Sequence, residues 1–450
     1  MRFARSPEVW IVLLILVVFG PFVQQMSAQS AARYALTAAI WERHTLDVDG
    51  YTLGVDKVVL PDGRLRSDKP PLQPLLAVPV FALGRVAGVE PATHRRVVGN
   101  LGLWWVTFWS TVVPLCFLVV LMRRVAVKLR ARAPTLAALG IVFATTMAAF
   151  ASQLYAHVLA AALIFGAWYL MRAADRERRW RWLGSGLLVG AAIITAYETI
   201  PLAVVLTGFV AWRARDRIGW FLLGGVPAAI LGGVYNRIAF GKFWRISYGQ
   251  KSGHRGVFGV AVPRLSIMAQ IVFGGRGLLL VTPLVLVALA AAVMVARKPG
   301  PARVDAVVGL LCFAGLFALQ SSWSNPWGGE SPGPRYLITA LPFLAAPLAV
   351  AWPRIRRLAI VAGAWGAFCM ACAVMTTSAV VNIHLSLFTW WRDQLEHGKL
   401  TPTVWTMAAG TWGWAIHALL VAAAIVGLWR ATRPRDANDA AVSSPRATRV

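Results

Sequence analysis

The stretch "RLRSDKPPLQPLLAVPVFALGR" occupies positions 64–85. An acid–base pair, Asp68-Lys69, runs directly into Pro70 and Pro71, and an apolar run interrupted by Pro74 and Pro79 follows. A membrane-spanning helix needs roughly 20 apolar residues. This run is shorter, and proline inside it would remove backbone hydrogen bonds. Whether it crosses decides the side on which every later loop falls. If it crosses, the apolar block 99–121 runs outward and the cluster "RRVAVKLRARA" (123–133) lies outside. If it stays on the outer face, that cluster is cytoplasmic. The later clusters "RERRWR", "RARDR", "RKPGPAR", "PRIRR" and "RATRPR" then fall inside as well. Basic residues in short loops near span ends favour the cytoplasmic side. The second reading places more than half of the 45 Lys and Arg there. Positions 70–84 therefore read as a juxtamembrane or re-entrant helix, where prolines are tolerated because no continuous lipid-exposed ladder is required.

Composition fixes the class. The chain is 58% apolar and 14% charged, against about 25% charged in soluble domains. Apolar blocks recur between short basic clusters, the pattern of an all-α polytopic membrane protein. The 21 Trp suit the membrane–water interface. A net charge of +27 could point to nucleic acid, but the basic residues sit between spans. They are read as topology and contact with anionic lipid, with no nucleic-acid partner. Cys116, Cys312, Cys369 and Cys372 lie in apolar blocks and suggest neither disulfide nor metal site.

About twelve spans are expected: 9–27, 99–121, 135–152, 158–171, 183–200, 201–212, 218–236, 277–296, 304–321, 335–352, 358–381 and 408–429. The first also fits a cleavable signal segment, since "SAQSA" follows it. Two Gly-Gly pairs in 218–236 would allow close helix contacts. Residues 1–435 form one transmembrane domain, and 436–450 a disordered cytoplasmic tail. The long loops 28–98, 237–276, 322–334 and 382–407 all fall outside, with both termini inside.

Chemistry is expected on the outer face. Glu42, Asp47, Asp49, Asp56, Asp62 and Asp68 cluster in the first outer loop. Asp62 in "LPDGRL" reads as a turn residue. Asp56 and Asp68, with lysine neighbours and apolar flanks, are the better candidates for held, functional carboxylates. The loop "SSWSNPWGGESPGPRYLITALPFL" carries Glu330 and ends at Arg335 and Tyr336, at the outer mouth of a span. An arginine there offers a planar fork of donors to a lipid phosphate. It could equally anchor the helix at the interface together with Tyr336. The second outer loop interleaves Lys242, Arg245, Lys251 and Arg255 with aromatics, which suits anionic headgroups or sugar rings as well as a plain interfacial loop. His157 and Glu198 are ionisable residues at membrane edges, functional candidates by position. No phosphate loop, dinucleotide fingerprint, zinc-protease motif or catalytic-triad arrangement is present. No cofactor is called for. A divalent metal is left open, without a ligand signature.

Three segments resemble the GT-C membrane glycosyltransferases, especially the protein O-mannosyltransferase (glycosyltransferase family 39) and lipid A aminoarabinose transferase group. "ARYALTAAIWERHTLDVD" (32–49) is similar to that group's helix after the first span. "SDKPPLQPLLAVPVFAL" is similar to its juxtamembrane helix, and "GPRYLITALPFLAAPLA" to its late span. The resemblance implies an inverting enzyme of the inner membrane, acting on its outer face. A sugar would pass from a polyprenyl-phosphate donor to a glycan, lipid or protein acceptor of the cell envelope. Lys69 and Arg335, with Arg33 and Tyr336 beside them, would hold the donor phosphate. A first-loop carboxylate would be the general base. The group's Asp-Glu pair before "ARYA" is replaced by Ser30 and Ala31, and its Asp at the fourth span by "LYAHVL", with His157 nearest. The base then falls to Asp56, Asp68 or Asp49. Two other classes stay open. One is a transporter or flippase of lipid-linked intermediates, which would place ionisable residues in mid-span. The other is a non-catalytic lipid-binding relative.

Overall fold

The computed structural model describes residues 6–51, 56–92, 100–173, 178–250, 261–377 and 386–433. The tail 436–450, and Lys251 and Arg255 of the second loop, lie outside the described residues. The fold is helical, with one short two-stranded hairpin. Most helices share one continuous apolar core. Their other faces carry exposed large apolar side chains, such as Leu222, Leu223, Ile230 and Ile238 along Ile218–Phe240. That pattern, apolar inside and out, is the mark of helices whose solvent is lipid.

Five helices are long and apolar enough to cross a membrane, six if one bent pair is a single span. The expected twelve are not reached on that measure, because local breaks shorten several segments. Pro7–Phe19 has 13 residues and stops well before position 27. Block 135–152 is split into Pro134–Phe143 and Thr146–Phe150. Block 277–296 is interrupted before Leu284, where two pieces meet at 98°. Expected spans 335–352 and 358–381 join into a 3-10 segment, Arg335–Leu344, and a 31-residue helix, Ala345–Met375. Straight, that helix alone would separate its ends by about 45 Å. Yet Val374 O accepts from Gln24 Nε2, and the same Gln24 accepts from Gln153. Gln153 is two residues from Tyr155, whose ring lies under Arg335. Both ends of 335–375 thus reach one face, so the chain doubles back within it. Pro353, beside exposed Arg354, Arg356 and Arg357, marks the place.

The helix from the opening stretch, Leu72–Val86, is shorter than the helices long enough to cross a membrane. Its 15 residues span about 22 Å. Gln73 Nε2 donates to Ser110 O and to Tyr155 O at its start. Further along, Val80 O accepts from Trp105 Nε1 at 2.8 Å. The whole helix therefore lies against the first part of Leu101–Lys128. Pro71 occupies its N-cap position, where a proline costs no hydrogen bond. Ser110 belongs to a π-helical turn, Phe108–Val112.

The first loop carries its own small core, built on Tyr34, Leu36, Val48, Val58, Phe81 and Phe240. It ties together the helices Ala28–Arg43 and Leu72–Val86 and a hairpin absent from the sequence expectation. The hairpin pairs Lys57–Val59 with Leu65–Ser67 in antiparallel register, Lys57 opposite Ser67. Asp62 sits in its turn and accepts from Arg64 N. Thr37 Oγ1 donates to Pro74 O, locking the two helices together.

On the opposite face, Glu8 meets Arg123 and Arg124, so the beginning of the chain shares that face with the 123–133 cluster. Ends of two further helices are joined by Asp305, which is buried against Arg172 at 3.0 Å and Trp168 Nε1 at 3.1 Å. Arg172 reaches solvent and Asp305 does not. Arg172→Met is therefore expected to cost about 3 kcal/mol, by stranding a buried carboxylate. Asp305→Asn should cost less, since the arginine can hydrate. Thermal unfolding of the two variants in one detergent checks the order.

Close packing of Arg179–Thr195 on Ile218–Phe240 rests on glycine. A Cβ on Gly186 would come within 1.8 Å of Phe221 O, and one on Gly224 within 2.0 Å of Leu183 O. Small residues are what let membrane helices approach this closely.

Candidate active site

The long loops converge on one cavity of about 220 Å³. Its lining includes Arg33, Asp68, Lys69, His157, Glu198, Arg335 and Tyr336. Seven of the ten residues singled out from the sequence thus meet in one place, from five separate segments.

Lys69 is the best-held cation. The strand Leu65–Ser67 delivers it, and Asp68 N donates to Asp56 O at 3.3 Å, fixing the chain just before it. Its ammonium lies 2.8 Å from Asp68 Oδ1 and 3.0 Å from Asp56 Oδ2. Asp68 and Lys69 are 1% and 2% exposed. Asp56 stands behind Lys69 rather than in the lining, and also accepts from Gln29 Nε2 at 3.0 Å. Burial pushes the Lys69 ammonium below the ordinary lysine range, and Asp68 and then Asp56 pull it back up.

Arg335 opens the 3-10 segment and is 4% exposed. Its guanidinium lies 5.4 Å from the Tyr155 ring and 5.6 Å from that of Tyr336. Arg33 approaches the same Tyr155 ring at 5.9 Å. Two glycines of the 322–334 loop make room for Arg335. Gly328 has φ +79° and Gly329 φ +114°, and a Cβ on Gly328 would sit 3.2 Å from Arg335 Nε. Gln320 holds the loop shut, donating to Pro326 O and accepting from Tyr336 N. Nε and Nη1 of Arg335 have no hydrogen-bond partner among the described residues. No carboxylate lies within ion-pair distance of it there. A buried guanidinium with unused donors is what an oxyanion would satisfy.

His157 Nδ1 lies 2.9 Å from Glu198 Oε1, and the two come from different helices. The imidazole is walled by Phe150, Tyr155 and Tyr336. Two candidates lie elsewhere. Asp49 is exposed at a bend of the first loop, its amide donating to Asp47 Oδ1. Glu330 is in the 322–334 loop but not in the lining. Lys242 lies over Trp244, and Arg245 binds Phe240 O, both away from the cavity.

Lining or wall residues that escaped sequence reading include Gln29, Tyr155, Tyr248, Trp323 and Asn325. Tyr155 stood beside His157 in "LYAHVL", and Tyr248 within a loop already marked as basic and aromatic, so the signal for each was a neighbour. Among the described residues, no group of three or more His, Cys, Asp or Glu stands close enough to hold a metal ion.

No protein-family model matches the chain, and no curated protein matches it by sequence. Among solved structures it is similar to ArnT from Cupriavidus metallidurans bound to undecaprenyl phosphate. The TM-score is 0.55 at 16% identity, over 94% of this chain and 74% of that one. ArnT from the same organism in the apo state gives a TM-score of 0.52 at 16% identity, with the same coverage. The chain has the GT-C fold of ArnT, as its sequence segments suggested.

Proposed function

We propose that the protein is a membrane glycosyltransferase that moves a sugar from a polyprenyl-phosphate donor to a cell-envelope acceptor. One observation carries the reading: Arg335 is buried at a cavity with donors unpaired, alongside Arg33 and Lys69. Three cations face two carboxylates there, so the lining favours an anion. The aromatic faces of Tyr248, Trp323 and Tyr336 suit a sugar ring. The similar fold of ArnT, solved with undecaprenyl phosphate, supports a lipid-linked phosphate as the anion.

In this reading the loop-bearing face is extracytoplasmic and the basic face, with both termini, is cytoplasmic. The domain is 1–435, in the inner membrane. The acceptor, a glycan, lipid or protein, attacks the anomeric carbon with inversion. The departing phosphate needs charge stabilisation more than a proton, and a preorganised cationic pocket supplies it. Asp68 and Asp56 tune and hold Lys69.

Purified protein in nanodiscs, given undecaprenyl-phosphate-linked hexoses and envelope extract, is expected to release undecaprenyl phosphate and label the acceptor. Donor binding without release would favour a non-catalytic lipid-binding protein. Movement of intact donor across vesicles would favour a flippase.

The lowered Lys69 gives a pH test. Below its pKa the ammonium is charged and holds phosphate, and above it that contribution is lost. Undecaprenyl-phosphate affinity should fall as pH rises, at a pH under the usual lysine value of about 10.4. Lys69→Arg, which keeps its charge throughout, should flatten the profile.

A further inference from the structure

We propose that His157, oriented by Glu198, is the general base of the transfer, replacing the carboxylates missing at Ser30 and Ala31. This inference rests on the glycosyltransferase reading. The first-loop acids are occupied: Asp68 and Asp56 both lie within 3.0 Å of Lys69 Nζ. Asp49 lies outside the cavity. His157 is a lining residue 4% exposed. Its Nδ1 lies 2.9 Å from Glu198 Oε1, which leaves Nε2 as the ring nitrogen to meet an acceptor.

A carboxylate at one ring nitrogen fixes the tautomer and orientation and leaves the other nitrogen basic. That division of labour is the one found wherever an acid steers a histidine onto a hydroxyl. The groups facing the imidazole are Glu198, Arg33 and Arg335, and the rings of Phe150, Tyr155 and Tyr336. Asp68, Lys69 and Tyr248 complete the lining around it.

The step balances without a further reactant. The acceptor oxygen forms a bond to the anomeric carbon, and its proton passes to His157 Nε2. The bond from that carbon to the phosphate oxygen breaks. The electron pair leaves with the phosphate, beside Arg33, Lys69 and Arg335. Release of the proton to water resets the histidine. His157 is then a catalytic residue and Glu198 a positioning residue.

The test uses full-length protein in nanodiscs, with undecaprenyl phosphate as binding probe and undecaprenyl-phosphate-linked hexoses plus envelope extract for turnover. His157→Gln is expected to lower turnover about 10²- to 10⁴-fold, to abolish the rise of rate with pH, and to leave undecaprenyl-phosphate affinity unchanged. Added imidazole should restore part of the rate to His157→Ala. Glu198→Gln should lower kcat with donor KM unchanged, and Glu198→Asp should recover part of it. Retained turnover with an intact pH limb in His157→Gln would overturn the assignment. So would a loss of undecaprenyl-phosphate binding in that variant, since the histidine would then be structural. Wild-type protein that fails to bind undecaprenyl phosphate would instead remove the glycosyltransferase reading, and this inference with it.

Discussion

Arg335→Ala is expected to weaken undecaprenyl-phosphate binding by on the order of 100-fold while leaving the protein folded. Hydrogen bonds to charged groups contribute about 1.5–3 kcal/mol each. Arg335 has two buried donors, Nε and Nη1, without partners. Even one such bond plus its Coulomb share amounts to about two decades of affinity. The prediction about stability follows from the same observation. No carboxylate among the described residues pairs with Arg335, so its removal strands no buried charge. What is lost is packing on Tyr155 and Tyr336. Arg335→Lys should recover only part of the affinity, because an ammonium lacks the planar fork and stacks poorly on tyrosine. Titration of labelled undecaprenyl phosphate, with a thermal melt beside it, checks both halves.

Lys69→Met should behave differently, with a loss in both turnover and stability. Removing one preorganised donor from a charge-stabilising site typically costs about 10²- to 10³-fold in rate. Here the substitution also leaves Asp68, 1% exposed, without its ammonium. Breaking a buried pair from one side costs about 3–5 kcal/mol. Neutralising the stranded acid should then repair the fold but not the reaction. Lys69→Met with Asp68→Asn is expected to regain most of the melting temperature and none of the turnover. If the double variant stayed as unstable as the single one, the pair would not be the source of the loss.

Parts of the cavity differ in how much of them could be read from the chain. Asp68 and Lys69 are adjacent in sequence and followed by two prolines. Their coupling and their place at the head of a short helix were therefore local facts. Arg335 followed a loop dense in Gly and Pro, again a local signal. Asp56 was marked for its neighbour Lys57, but Lys57 lies exposed on the hairpin, and the real partner is Lys69. Register in the hairpin made that choice, and no periodicity in the loop announced it. The His157–Glu198 contact joins two elements 41 positions apart, brought together by the packing of Ala156–Arg172 on Arg179–Thr195, the helix that leads into Glu198. Tyr155 shows the same limit: its role under two arginines arises from segments that meet only in three dimensions.

Span counting failed for a physical reason of another kind. Hydropathy reports that a segment prefers lipid, not that its helix is continuous. Breaks at Ala144-Thr145 and just before Leu284, and a reversal near Pro353, cut or merged the expected spans without altering their apolarity. For the opening stretch the short, proline-interrupted run was a local signal of a short helix, and a short helix is what forms there. Its helix is bounded by contacts at Ser110 and Trp105, within the first part of one neighbouring helix.

The central claim is that a lipid-linked phosphate seats between Arg335 and Lys69. Comparing undecaprenyl phosphate with undecaprenol, its phosphate-free alcohol, tests it most directly. Wild-type protein in nanodiscs should prefer the phosphate by on the order of 100-fold, and Arg335→Ala should lose most of that preference. Equal affinity for the two lipids in wild type, or an undiminished preference in Arg335→Ala, would contradict the account.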